Sequence, residues 1–199
     1  MPRLAKFKKE EIIDAAFMLV KEESFSMLTA RNLAKKLNSS SKVIFGYFTS
    51  MDELKKEVIK KAKELYGKYI KENIEKSDRP FLGVGIGYIN FAADEASLFK
   101  LLFMSEKQTF FNLDTLLIDL DENYPLIVDS IKRTFFITDT NKALDIYHGM
   151  WILAHGMATL IATNVYKFTK DEIVNLFDSC LFGYLSYDEL TKRVKERGK

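Results

Sequence analysis

A chain of 199 residues, 47% hydrophobic and 29% charged, can bury a sizeable core in one or two domains and has the balance of an ordinary globular protein. A single cysteine, Cys180, excludes an internal disulfide framework and fits a reducing cytoplasm; no apolar run nears the ~18 residues a membrane helix needs, and charged Met1 to Lys9 leads into no signal-peptide core. The net charge of +2 is uneven, with 18 Lys/Arg against 12 Asp/Glu in residues 1–80 and 12 against 16 in residues 81–199, which suits a polyanion at one end only.

Arg3, Lys6, Lys8 and Lys9 form a basic N-terminal arm, either a solubilising tail or an extension of a phosphate-binding footprint. From Glu10 to Glu23, Ile12, Ala15, Ala16, Leu19 and Val20 make one apolar stripe and predict a helix, with Phe25 and Leu28 closing a small core. Thr29 can N-cap a second helix, whose apolar face is Ala30, Leu33, Ala34 and Leu37. Asn38 tolerates the positive φ that a tight helix–helix turn needs. Ser39, Ser40 or Ser41 can cap a brief third helix. Val43, Ile44 and Phe48 can face inward there, while Lys42, Phe45 and Tyr47 cannot all do so. Thr49 or Ser50 caps again, with Asp52 and Glu53 where a helix N-terminus favours negative charge. Between Ser24 and Met51 the chain carries Arg31, Lys35, Lys36 and Lys42 and no acid. Hydroxyls and amines on a short helix suit phosphates and base edges of the major groove; a solvated basic hairpin is the bland alternative.

The residues Phe25, Thr29, Arg31, Leu33-Ala34, Asn38, Ser40, Ser41, Lys42, Phe45, Tyr47, Phe48 and Asp52-Glu53-Leu54 follow one another without a gap in a pattern that resembles the DNA-binding domain of the TetR/AcrR family of bacterial transcription regulators. The resemblance implies operator contacts from Thr29, Arg31, Ser40, Ser41, Lys42, Val43, Phe45 and Tyr47, and the basic arm and the next helix add Lys6 and Lys55 as candidates. Three departures from the pattern stand out. Asn38 replaces the turn glycine, Phe45 and Tyr47 stand for the phosphate-contacting Tyr and His, and Met51 stands for a Lys whose role Lys55 can take one turn later.

From Ser50 to about Lys76 one long helix is predicted, with Leu54, Val58, Ala62, Leu65, Tyr69 and Ile70 inward and lysines outside. Ser77-Asp78-Arg79-Pro80 stops it. Phe81 to Phe111 is rich in aromatics, and Gly83, Gly85 and Gly87 alternate. A phosphate-cradling loop would need a strand before it and a helix after it in a βαβ unit, so a helix with small residues at a close approach is the better reading. Tyr88 to Ala92 and Leu98 to Phe103, with Trp151, His155 and Gly156, resemble the WHG-type C-terminal domain of the same family. Met104 to Leu113 reads as loop or helix and Leu116 to Leu120 as a short apolar segment. Tyr124-Pro125 starts a helix to about Ile137 that turns Ile127, Val128, Ile131, Phe135 and Phe136 inward. Asp139 or Thr140 caps the next helix, to about Thr163, and Thr169 caps the last, to about Arg193.

Ala154, Ala158 and Ala162 recur every fourth residue, as do Ser179 and Gly183, with Phe177, Cys180 and Tyr184 beside them. Such rows let helices approach closely, within a subunit or between two; a symmetric operator favours the second, and the family resemblance implies a homodimer through these two helices. His148 and His155 share a face with Trp151, but about 10.5 Å of helix rise separates them, too far for one metal. No metal, cofactor or catalytic constellation is expected. The His–Trp–His face opposite the aromatic stretch suits an apolar ligand with a few polar atoms, with Tyr88, Phe91, Phe99, Phe103, His148, Trp151 and His155 as lining; a packed core or the dimer interface are the alternatives.

Together these observations predict an all-α protein: a helix-turn-helix domain over residues 1–50, a connecting helix over 51–76, and a helical ligand-binding and dimerisation domain over 77–199. The expected function is a cytoplasmic homodimeric regulator, a ligand-responsive repressor on palindromic double-stranded DNA, with no enzymatic activity and no membrane partner. The alternative is a helical small-molecule-binding or interaction protein with weak or lost DNA binding.

Overall fold

The computed structural model describes residues 7–105, 115, 117–118 and 124–197, and side chains within these except 126 and 188–197. Lys6 and the expectations for 106–114, 116 and 119–123 lie outside them. The described residues are all-α, with nine helices, one 3₁₀ turn and no strand. No helix among them is long and apolar enough to cross a membrane. Two compact units emerge, Met1–Lys68 with Phe91–Gln108, and Tyr69–Asn90 with Thr109–Lys199.

The first unit opens with α1 (Lys9–Glu22), whose first turn carries Glu10 and Glu11 against the positive end of the helix. The Glu11 carboxylate accepts the Lys8 amide at 2.7 Å, satisfying a donor the helix cannot reach. After a 3₁₀ turn (Phe25–Met27) come α2 (Ala30–Lys36), α3 (Ser41–Ile44) and α4 (Met51–Glu75). Ile12, Val20, Leu33, Ile44, Leu54 and Val58 are all sealed from solvent and form the core beneath the helix-turn-helix. Each such side chain contributes roughly 1.5–3 kcal/mol by leaving water.

The buried stripe of α4 is Leu54, Val58, Ala62, Tyr66 and Ile70, every fourth residue, not the expected set with Leu65 and Tyr69, which are half-buried. The correction has an aromatic cause. The Tyr66 ring packs edge-on against Phe91 at 5.5 Å and Phe103 at 5.3 Å, and Phe99 stacks on Phe103 at 5.1 Å. Phe99 comes from α6 (Ala96–Phe103), which packs on α1. Glu95, at the start of α6, is buried beside Lys21, whose Nζ donates to it at 2.5 Å. Breaking such a pair from one side strands a buried charge.

In the second unit, Pro80 does more than stop α4: it is the first residue of α5 (Pro80–Asp94). Gly83 and Gly87 are the close-approach glycines of this helix. A Cβ would lie 2.6 Å from the Asn73 carbonyl oxygen at Gly83 and 2.8 Å from that of Tyr69 at Gly87, so the α5 backbone runs against α4 where any side chain would collide. Then follow α7 (Tyr124–Thr134), α8 (Thr140–Ala162) and α9 (Lys170–Arg197). Asp139 caps α8 by accepting the Asn141 amide at 2.9 Å. Thr169 and Glu172 form a reciprocal capping box at α9, with Glu172 N–H donating to Thr169 Oγ1 at 3.2 Å and Thr169 N–H to Glu172 Oε2 at 2.7 Å.

Three helices end alike. Asn38, Phe136 and Asn164 take φ of 45°, 53° and 56° after α2, α7 and α8. The next amide in each case bonds back five residues: Ser39 to Ala34, Ile137 to Lys132 and Val165 to Leu160, each at 2.9 Å. This is the Schellman arrangement, which needs a left-handed residue. Asn tolerates it; Phe does not. So α7 ends at Thr134 rather than near Ile137, and Phe136, expected on the inner face, is turned out to 93% exposure. Phe136→Asn is expected to raise stability by about 0.5–1 kcal/mol, because the strain of a left-handed bulky residue is relieved and no buried contact is lost. The check is a higher urea midpoint at an unchanged slope; a lower midpoint contradicts it.

Candidate nucleic-acid interface

The site begins with the caps of α2. Thr29 Oγ1 accepts the Asn32 amide at 3.2 Å, as the sequence predicted, and the Asn32 side chain donates to the Met27 carbonyl at 2.9 Å. These bonds hold the entry to α2, and the Schellman turn at Asn38 fixes its exit. Because that turn sets the rotation of α3, Ile44 and Phe48 go into the core and Lys42 and Phe45 go out. The helical hydrogen bonding continues past α3, from Phe45 to Ser41, Gly46 to Lys42 and Phe48 to Ile44. Val43, expected inward, and Ser41 are half-buried at the rim of this face. Ser40 is the N-cap residue, yet its hydroxyl makes no capping bond, and the residue is exposed.

Thr29, Arg31, Lys35, Ser40, Lys42 and Phe45 are thus all exposed on the helix-turn-helix. No carboxylate of the described residues pairs with Arg31, Lys35 or Lys42, whereas Lys36 is tied to Glu22 at 2.6 Å. Lys35 was absent from the expected contacts, although the acid-free run Ser24–Met51 already marked it. Two expected residues have partners inside the chain. The Tyr47 hydroxyl donates to the Phe7 carbonyl, which staples the segment before α1 to the turn after α3. Lys55 bonds Asp52 at 3.3 Å and lies 6.0 Å from the Phe25 ring. Lys9 sits over the Phe48 ring at 4.8 Å, so the described end of the basic arm reaches the same edge.

The residues expected to line a ligand pocket divide between the two units. Phe91, Phe99 and Phe103 belong to the first, where Phe91 and Phe99 are sealed in the core. Tyr88, Trp151 and His155 form one cluster in the second. The Tyr88 hydroxyl and His155 Nδ1 are 2.9 Å apart, Trp151 stacks on the His155 ring at 5.0 Å, and Tyr88 meets Trp151 edge-on at 6.1 Å. Burial pushes the Tyr88 phenol well above its usual range and the His155 imidazole below its own, so both are neutral near pH 7. His148 lies apart, on a groove between α8 and α9 that Asp145, Cys180 and Tyr184 also line. Among the described residues no group of three His, Cys, Asp or Glu is placed to hold a metal.

The expected dimer rows also divide. Ala154, Ala158, Ala162 and Phe177 are buried inside the unit. Ala154, Ala158 and Ala162 on α8 and Phe177 on α9 thus pack within the single chain. Ser179 and Gly183 are exposed, and Cys180 and Tyr184 are half-buried. The outward face of α8 lies two residues off the alanines, about 200° round the helix: Ile152, Gly156 and Leu160. On α9 the matching face is Leu176, Ser179, Gly183 and Tyr187.

At the start of α4, Ser50 Oγ accepts the Glu53 amide at 3.2 Å while Glu53 accepts the Thr49 amide and hydroxyl at 2.7 and 2.8 Å. The Thr49 amide, then its hydroxyl, with Lys9 and Lys56 adding, holds the Glu53 carboxyl below the ordinary carboxylate range. A depressed folded pKa means that the contribution to stability is present above the unfolded value of about 4.3 and is lost as pH falls through the folded one. Glu53→Gln is therefore expected to lower stability at neutral pH, with the gap to the parent narrowing at acid pH as the Glu53 carboxyl is protonated. Urea unfolding at both pH values measures it, and a gap that persists in acid contradicts it.

No curated protein matches the chain. Residues 12–58, the segment from within α1 to within α4, match the family model described as bacterial regulatory proteins, tetR family, a match that supports a DNA-binding transcriptional regulator.

Proposed function

We propose that the protein acts as a homodimeric, ligand-responsive repressor that occupies a palindromic operator. The observation that carries the DNA-reading part is the exposed, acid-free face of Arg31, Lys35, Ser40, Lys42 and Phe45, presented by a turn whose geometry leaves α3 one orientation. Thr29, Ser41, Val43, Tyr47 and Lys55 border that face, and Lys6 of the basic arm is a further candidate phosphate contact. Lys42 and Arg31 take phosphates, the Ser40 and Ser41 hydroxyls take phosphate or base edges, and Phe45 offers an apolar contact to a thymine methyl. The domain division runs as a reader over residues 1–50, α4 as connector, and a helical effector and dimerisation domain of the WHG type beyond it.

Dimerisation is supported by a feature that packing within one chain leaves without a reason. Gly156 and Gly183 sit inside long helices, where glycine costs about 1 kcal/mol relative to alanine. A Cβ at either would meet nothing within 4 Å. Both lie on outward faces between exposed apolar groups: Ile152 is 59% exposed, Leu160 36% and Tyr187 66%. Backbones that must come close to a second copy of the same helices account for glycine there. Two reading helices about 34 Å apart then match successive major grooves, and an effector that favours another spacing releases the DNA.

The competing reading, a small-molecule-binding protein with lost DNA binding, draws on Phe45, which lacks a hydroxyl, and on Tyr47, whose hydroxyl is taken by Phe7. A gel shift with double-stranded DNA flanking the gene decides between them. The parent protein is expected to shift a specific fragment at moderate salt, and failure to shift any fragment removes the repressor reading. Lys42→Ala is expected to weaken binding at all sequences and to reduce the salt-dependence slope by about 1, with the circular dichroism spectrum unchanged. Ile152→Asp is expected to convert the dimer to monomer by light scattering at an unchanged helix content; a dimer that survives it places the interface elsewhere.

A further inference from the structure

The second unit holds a cavity of about 130 Å³ walled by Phe81, Leu82, Phe135, Met150, Phe177 and Leu181. Its residues come from α5, α8, α9 and the end of α7. The walls are aromatic and aliphatic. Phe81 and Phe135 meet edge-to-face at 6.3 Å and 82°. Phe177 reaches the wall because position 85 is glycine: a Cβ there would lie 2.4 Å from the Phe177 ring. Apolar cavities of roughly 150 Å³ hold a benzene ring, so a single ring or a chain of about six carbons matches this one in size.

The rim is charged. Arg79 donates through Nη1 to Asp178 Oδ2 at 3.1 Å and through Nη2 to Oδ1, a two-pronged pair across 99 residues of sequence. The pair raises the Arg79 pKa and lowers that of Asp178. Both side chains are about half exposed, so Asp178 can return to water cheaply if something else takes its place. Arg79 also directly precedes the first turn of α5, where the helix dipole favours an anion. Asp78 and Thr134 complete the rim. The Asp78 charge opposes an anion, but it is exposed and screened by solvent.

We propose that this cavity is the effector site, and that it takes a small monocarboxylate with an aromatic or short alkyl body, whose carboxylate replaces that of Asp178 on the Arg79 guanidinium. Asp178 is the internal stand-in for the ligand head, and the body fills the space between the phenylalanines. Exchange of one carboxylate for the other unties α9 from the start of α5. Since α9 carries the outward face assigned above to the second copy, the exchange bears on the dimer. The proposal rests on the ligand-responsive reading and gives that reading a ligand class.

The test is calorimetric titration of the full-length protein with benzoate, hexanoate, benzyl alcohol and benzyltrimethylammonium. Benzoate or hexanoate is expected to saturate one site per chain, and the neutral alcohol and the cation to bind at least tenfold more weakly. Arg79→Gln is expected to weaken carboxylate binding about ten- to a hundredfold, the usual loss of a charged two-pronged contact. Asp178→Asn removes the internal competitor and is expected to tighten binding several-fold, an effect that a purely structural pair would not produce. Circular dichroism confirms that both variants are folded. The proposal is overturned if no carboxylate binds the parent, if Arg79→Gln binds as well as the parent, if Asp178→Asn binds no tighter, or if the cation binds best. A gel shift on the same preparation separates the failures: DNA binding without carboxylate binding removes only the site, and carboxylate binding without a DNA shift removes only the repressor reading.

Discussion

The left-handed residue at Asn38 is the constraint on which the reading head depends. With φ at 45°, it lets Ser39 and Asn38 return their amides to the last carbonyls of α2, so the chain reverses without leaving helix-end groups unsatisfied. The reversal sets the rotation of α3. Ile44 and Phe48 then lie over Leu33, Leu54 and the rest of the small core, and Lys42 and Phe45 have no place except the surface. A residue that resisted positive φ would shift the start of α3 and present a different set of side chains. The basic surface is therefore a consequence of packing beneath it as much as of the lysines on it.

The same logic of faces governs the second unit. In a helix every residue turns about 100°, so rows two residues apart point in opposite directions. On α8 the alanine row faces inward and the row of Ile152, Gly156 and Leu160 faces outward. Small residues serve both rows for different reasons. The alanines admit helices of the same unit; the outward glycines have empty space over them. Burying exposed leucine, isoleucine and tyrosine against a second copy is a favourable use of such a face, since each apolar group removed from water adds stabilisation. Asp178, the α9 member of the rim pair with Arg79, turns the other way, toward α5 and its cavity.

Much of this was legible in the residues. Apolar periodicity marked α1, α2 and α4, Thr29, Asp139 and Thr169 marked helix starts, and Asn38 marked the turn, because caps and turns are local chemistry that acts within a few residues. The helix ends at Phe136 escaped because the sequence signal there, a phenylalanine, contradicts the left-handed conformation that the tertiary structure imposes. The Leu65 and Tyr69 assignments on α4 slipped by one position, because the aromatic partners of Tyr66 come from residues 91 and 103 and leave no periodic trace near it.

By itself, then, the sequence determined that the chain is helical, where the helices start, and that residues 12–58 carry a basic helix-turn-helix, since propensity, capping and periodicity all act over short separations. Only the tertiary structure decided which face of α8 is outward, that the aromatic candidates divide into a sealed core around Tyr66 and a Tyr88–Trp151–His155 cluster, and that Tyr47 spends its hydroxyl on Phe7. It also decided that Arg79 meets Asp178 at the rim of an apolar cavity. The Tyr47–Phe7 and Arg79–Asp178 pairings join residues 40 and 99 positions apart. Their energies depend on packing that brings distant segments together, and no short window of sequence contains both partners.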